Sequence, residues 1–368
     1  MPAERPYCEV ESLEHFDALV AHGARSMRGW HLQSIDLTDR SEVLSKLDAA
    51  GALFLGCAMD ERAERLVRRH GGLVFPTLPD IGFDPYRGRL YSPDELYAGL
   101  DEGGYEATCD ARIYAWARHE EAHHSVGATL ASALHDHAIT DALEELIDGR
   151  NVVGIMGGHA VRRGEQRFAD AAWLGRTLTR AGRIVATGGG PGSMEAANLG
   201  AFLAPHDDDA LAEALDILGR QPDFEHDVTA WAKAAFEVRS KWSESFGHSL
   251  GVPTWHYGHE PPNAFASEVA KFFRNSLRED VLLGRSNAGV AFLPGAAGTV
   301  QEIFTVATAN FYADAGTGMP MVLVGRSYWT ERFPAWQLLS ELGKGRPMAE
   351  QLTLVDTVAE AAAVLCDA

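Results

Sequence analysis

The chain of 368 residues carries no apolar run of about 18 residues, and its N-terminus, "MPAERPYCEV", lacks a secretory apolar segment. Neither a membrane-spanning protein nor an exported one is expected, and a cytoplasmic location follows. Basic residues are scarce, 32 against 52 acidic for a net charge of -20, and no local basic patch relieves the imbalance. Sequence-independent attraction to nucleic acid or to anionic membranes is therefore excluded as a function class. The four cysteines, Cys8, Cys57, Cys109 and Cys366, form neither a CxxC pair nor a disulfide framework and are expected to be buried or idle thiols. There is no internal repeat and no low-complexity segment, and with 46% hydrophobic residues the composition is that of an ordinary globular protein.

What the chain has in abundance is alternation. Short β-type runs at 151–157, 183–187, 252–257, 288–293, 320–325 and 352–355 are separated by helical patterns such as 168–182, 263–285 and 299–312. Strands that alternate with helices predict parallel strands joined by crossover helices, hence a doubly wound, Rossmann-like α/β sheet with helices on both faces. A smaller version of the pattern occupies 32–37, 52–57 and 72–76, followed by a loop rich in Pro, Gly and Asp at 77–95 and helical sequence from Cys109 to Ile147. Since 368 residues is long for one core, two regions are expected: an N-terminal α/β region over 1–147 and a nucleotide-binding domain over 148–368.

Two strand-to-helix junctions are rich in glycine: "ATGGGPGSMEAAN" (186–198) and "FLPGAAGTVQE" (292–302). Glycine lets backbone amides turn toward a ligand, and a helix N-terminus adds partial positive charge, so both turns suit an anion such as phosphate. The first fails the dinucleotide fingerprint, because Ser193 stands where the third glycine belongs, and neither carries the Gly-Lys-Ser/Thr of a P-loop. Each turn alone could equally be a tight βα connection without a ligand. Glu302 also admits two readings. With Thr299 it spells a capping box, and the same position sets a carboxylate beside the proposed phosphate pocket.

"GGGPGSMEAANLGA" and "PGAAGTVQE" resemble the paired motifs of the LONELY GUY (LOG) family, catalogued as "lysine decarboxylase-like", whose signature is PGGxGTxxE. The resemblance covers roughly 150–330 and leaves 1–145 outside it, as in a long bacterial form with an N-terminal extension. It implies hydrolysis of the N-glycosidic bond of a nucleoside 5'-monophosphate to free base and ribose 5-phosphate, with no cofactor and with pairing into homodimers. By position, Gly295, Gly298 and Thr299 would bind phosphate and Glu302 would be the catalytic carboxylate. Gly189, Gly190, Gly192 and Met194 would line the nucleotide pocket, with Glu195 beside them. Arg278 is the nearest match to the family's Arg-Lys pair, but Glu279 follows it, and Ala296 stands where the signature has glycine.

The chemistry suits those residue types. Glycosidic cleavage builds positive charge on the ribose, which a carboxylate stabilises or meets with activated water, and an arginine can grip phosphate or sugar hydroxyls. Arg278 could instead be a solvent-facing charge paired with Glu279 or Asp280. His256 and His259 could line the base pocket or simply pack in their loop. A decarboxylase would need a lysine Schiff base to pyridoxal phosphate, and none of Lys46, Lys233, Lys241, Lys271 and Lys344 lies in a setting that recommends it. A literal HExxH at His119, Glu120 and His123, with Glu144 or Glu145 downstream, is the pattern of a zinc hydrolase, or else the charged face of a connecting helix. A third class is a nucleotide-binding or sensing protein that keeps both phosphate turns without turnover.

Overall fold

The computed structural model describes residues 7–78, 81–119, 125–256 and 260–367. They fall into two compact units, Met1–Arg89 with Arg118–Ala142, and Leu90–Ala117 with Leu143–Ala368. Residues 90–117, which precede the boundary read from the sequence, thus pack within the second unit.

In the first unit β1 (Cys8–Val10), β2 (Trp30–Gln33), β3 (Leu53–Leu55) and β4 (Leu73–Phe75) form a parallel sheet in that order. Its core gathers Phe16, Trp30, Leu32, Phe54 and Val67, with Phe16 and Trp30 edge to face at 6.2 Å. The helix Glu61–Arg69 starts where the Asp60 carboxylate accepts the Ala63 amide at 2.7 Å.

The second unit holds a seven-stranded sheet: β5 (Val152–Met156), β6 (Ile184–Thr187), β7 (Ser249–Gly251), β8 (Glu268–Val269), β9 (Val290–Phe292), β10 (Met321–Val324) and β11 (Leu352–Val355). The order is β11-β10-β9-β5-β6-β7-β8, and every neighbouring pair is parallel. All residues of β5, β7, β9 and β10 are buried, as expected of strands covered on both faces. The crossover helices pack in pairs, Gln166–Arg180 against Ser193–Phe202 and Asn275–Arg285 against Ala297–Tyr312. The fold is therefore doubly wound α/β. The chain builds outward from β5 to β8 and then returns to lay β9 on the other side of β5, so the direction of winding switches between β5 and β9. Open α/β sheets bind ligands outside the carboxyl ends of the strands at such a point.

Backbone contact fixes the first pair of helices. A methyl group added at Gly175 would fall 2.1 Å from the Ala197 carbonyl oxygen, and one at Gly200 1.8 Å from that of Ala172. Gln166–Arg180 and Ser193–Phe202 thus touch main chain to main chain, which sets where the latter begins.

Two sequence-based expectations are corrected. The strand expected at 252–257 lies earlier, at 249–251, and the helix expected over 263–285 is helical only from Asn275. Residues 264–272 are almost wholly buried, so no polar stripe reveals their period. Asn263 accepts the Phe265 and Ala266 amides through its side chain, and the segment continues as β8, pairing with β7 and with Tyr91. The expected helical stretch from Cys109 is divided into Cys109–Arg118 and Val126–Ile147.

Residues 90–117 are tied in by a buried ion pair. Lys271 Nζ donates to Asp110 Oδ1 at 2.6 Å, Trp255 Nε1 to the same oxygen at 2.9 Å, and Tyr105 Oη to Oδ2 at 2.5 Å. Burial pushes the Lys271 ammonium pKa down, and the Asp110 carboxylate works against that shift. Asp110→Ala should therefore cost about 3–5 kcal/mol of unfolding free energy by stranding a buried ammonium, and adding Lys271→Met should restore most of it. Urea unfolding at pH 7 measures both; a loss below about 1 kcal/mol for the single variant would remove the pair from this structural role.

Candidate functional site

The turn after β6 is held from beneath by buried polar side chains. Thr187 Oγ1 accepts the Gly189 amide at 3.0 Å and donates to Asn198 Oδ1 at 2.7 Å. Asn263 Nδ2 reaches both Asn198 Oδ1, at 3.0 Å, and the Gly190 carbonyl, at 3.2 Å, while Asn198 Nδ2 donates to Ser249 Oγ at 3.0 Å. With these polar groups satisfied internally, the turn is rigid. Gly189 and Gly192 have φ of +72° and +73°, and a Cβ on Gly192 would lie 2.5 Å from the carbonyl oxygens of Gly158 and His159. Only glycine fits there.

The turn after β9 is open. The helix Ala297–Tyr312 begins without a side-chain cap, and Ala296, Ala297 and Gly298 are exposed. Its first-turn amides therefore point outward unsatisfied by a capping side chain, at the positive end of a 16-residue helix. The capping-box reading of Thr299 and Glu302 is overturned: the helix starts two residues before Thr299, which is already inside the first turn and buried. Gly295 is needed for that packing, because a Cβ there would fall 2.1 Å from Thr299 Oγ1. Ala296 has φ of -103°, outside the left-handed region that favours glycine.

Glu302 and Arg278 meet across the two helices, with Arg278 Nη1 3.7 Å from Glu302 Oε1 and side-chain exposures of 12% and 14%. The alternative pairing of Arg278 with Glu279 is not found; Glu279 accepts from Asn275 at 2.7 Å and from Gln301. Arg278 Nε is buried and has no hydrogen-bond partner among the described residues. Burial pushes the Glu302 carboxyl up to about 7, with Arg278 pulling it down and Glu279 adding to the rise. A buried carboxylate, a loosely engaged arginine and a donor left open form a site with spare recognition capacity.

The glycine turn and this pair are adjacent. A Cβ built on Gly188 would lie 2.7 Å from Met194 Sδ and 3.8 Å from Arg278 Nη1; one on Gly190 would lie 3.0 Å from Met194 Cε and 3.5 Å from Glu260 Oε2. Met194 thus lies along a floor made by Gly188 and Gly190, with Arg278 and Glu302 at one end and Glu260 at the other. Between the two turns runs the loop after β5, where Gly158 donates to the Pro294 carbonyl at 3.2 Å and accepts the Ser193 amide at 3.1 Å.

No family model matches the chain, and no curated protein matches it. Among solved structures it is similar to the molybdenum cofactor binding protein from the phototrophic bacterium Rippkaea orientalis, at 15% identity and a TM-score of 0.37 over 59% of this chain and 96% of that one. It is also similar to the molybdenum cofactor carrier protein from Chlamydomonas reinhardtii, at 18% identity and a TM-score of 0.35 over 59% and 97%. A third similar structure is that of the structural-genomics target TM1055, at 20% identity and a TM-score of 0.37 over 60% and 99%.

The sequence-predicted residues are not all brought together. Glu195 points away from the floor and is fully buried against Arg163, whose Nε lies 3.1 Å from both carboxylate oxygens. That arginine also donates to the Trp231 carbonyl at 2.9 Å and stacks on its ring at 4.4 Å. Burial raises the Glu195 carboxyl pKa and Arg163 opposes the rise, so this pair anchors the helix. His256 is exposed, its amide held by Thr254 Oγ1 at 3.0 Å, and His259 lies outside the described residues. Glu120 and His123 of the HExxH also lie outside them; Glu144 accepts from Arg285, and no cluster able to hold a metal ion occurs among the described residues. Sequence reasoning missed Asn198, Asn263 and Glu260. The two asparagines are 65 positions apart and join through one hydrogen bond, a pairing that no local pattern displays.

The Glu302 carboxyl has a consequence for stability. Its folded pKa of about 7 exceeds the ordinary 4.5, so between those values the native state holds a proton the unfolded chain has lost. Stability then falls as pH rises from about 4.5 through 7, by about 3 kcal/mol in all. Glu302→Gln removes this loss, and its stability advantage over the parent should grow by about 2 kcal/mol between pH 5 and pH 8 in denaturant titrations. Parallel pH curves for the two proteins would contradict a buried, perturbed carboxyl.

Proposed function

We propose that this site hydrolyses the N-glycosidic bond of a nucleoside 5'-monophosphate, releasing the base and ribose 5-phosphate. The observation that carries the reading is the Arg278–Glu302 pair, held 3.7 Å apart beside the Gly188–Met194 floor with Arg278 Nε unpartnered. The 5'-phosphate would sit on the uncapped amides at the start of the 297–312 helix, with Gly295, Gly298 and Thr299 shaping the cradle. The Arg278 guanidinium, whose Nη1 stands 3.7 Å from Glu302, would turn its terminal donors to the phosphate or the ribose hydroxyls. The Glu302 carboxylate would face the ribose, where its charge opposes the positive charge that develops as the bond to the base breaks, or activates the attacking water. Partial desolvation strengthens that interaction, because the same charge acts more strongly where water is excluded.

The test is incubation with a panel of nucleoside 5'-monophosphates, assayed by chromatography for free base. Release is expected from at least one member, and Glu302→Gln should lower turnover by about 100-fold to 10,000-fold while ligand binding persists. Because the working form of Glu302 is ionised, kcat/KM should rise about tenfold per pH unit below about 7 and level off above it. A profile that falls through 7 would overturn the carboxylate role. Tight binding without release by the parent would instead make this a nucleotide-binding protein.

A further inference from the structure

Glu260 stands at the far end of the floor from Arg278 and Glu302. Its Oε2 lies 3.5 Å from the position a Cβ on Gly190 would take, and Met194 Cε lies 3.0 Å from that same position. Its Oε1 lies 3.4 Å from Nδ1 of His159, on the loop after β5. The carboxylate is half-exposed, with one oxygen near that imidazole and the other near the floor. A phosphate is disfavoured here, since two anions would meet, whereas the uncapped helix start at Ala296–Thr299 favours one. A nucleotide with its phosphate at that helix and its ribose beside the Arg278–Glu302 pair would extend its base along Met194 toward Glu260.

We infer that Glu260 is a specificity-determining residue that selects nucleobases carrying an exocyclic amino group on the pairing edge over their oxo counterparts. The inference rests on the nucleotide reading above. A carboxylate oxygen only accepts hydrogen bonds, so an amino group satisfies it and a carbonyl oxygen in the same place repels it. The Met194 thioether, which covers Gly188 and Gly190, offers a polarizable surface for any base, so it supplies contact without choice. Discrimination is left to the acceptor at the end.

The experiment is calorimetric titration of AMP against IMP and of CMP against UMP, pairs in which an oxo group replaces the amino group. It is performed in the Glu302→Gln background so that ligand is not consumed. At least one amino-bearing nucleotide is expected to bind about tenfold more tightly than its partner, and Glu260→Gln, which can donate as well as accept, should reduce that ratio to within about twofold. Equal affinities within both pairs, or a preference that survives Glu260→Gln, would overturn the inference while leaving the nucleotide reading intact. Failure of every nucleotide to bind would overturn both. The predicted preference together with no base release by the parent would sustain Glu260 as the selector and sink only the hydrolase assignment.

Discussion

Taking a carboxylate out of water without fully compensating it is the constraint around which the second unit's site is arranged. Glu302 keeps 14% exposure and has Arg278 at 3.7 Å, a separation that attracts without making a hydrogen bond. Its carboxyl is accordingly pushed up to about 7. A group in this condition persists only where the surroundings hold it there. Here they do: Asn275–Arg285 and Ala297–Tyr312 pack together and present the two partners, and the Gly188–Gly192 turn lies beside Arg278.

Comparison with the other buried ion pairs sharpens the point. Arg163–Glu195 and Lys271–Asp110 are each about 1% exposed, make short hydrogen bonds, and spend their remaining capacity on backbone carbonyls, a tryptophan N–H or a tyrosine hydroxyl. They are closed networks, and a closed network serves structure. Arg278–Glu302 is open by the same criteria, being longer, more exposed and missing a partner at Nε. Burial alone would not separate Glu195 from Glu302, since both carboxyls are raised; what differs is whether a donor set already surrounds the charge.

Much of this was legible in the sequence because a parallel sheet covered on both faces writes its strands as continuous apolar runs. β5, β6, β9, β10 and β11 stand where those runs predict, and the two glycine turns follow β6 and β9. Legibility failed where the same burial erased contrast. Residues 264–272 have almost no exposed positions, so a helical period was read through what is an edge strand. Glu195 was drawn into the pocket by its place in the chain, one residue after Met194, although successive side chains on a helix diverge by about 100° and its partner Arg163 is 32 positions away. Thr299 and Glu302 have the spacing of a cap, but the helix gains its first turn from Ala297, which a small exposed residue allows and no polar signal announces.

The distribution of charge along the floor also bears on whether the site only holds a ligand or acts on it. A protein that merely retains a phosphorylated ligand gains from cations and amides, and a carboxylate within reach of the sugar opposes that aim, since it sits beside an anion and must itself be desolvated. In the proposed reading Glu302 weakens simple retention. Its placement would become favourable when the proposed ligand develops positive charge, as a ribose losing its base does at the moment of reaction. The first-turn amides of the 297–312 helix, by contrast, favour the phosphate equally before and during that event, so they contribute binding and no selectivity for the transition state. In the proposed reaction one helix would thus carry at its start a group suited to holding and, one turn further in, a group whose cost on binding is recovered only if the bond breaks.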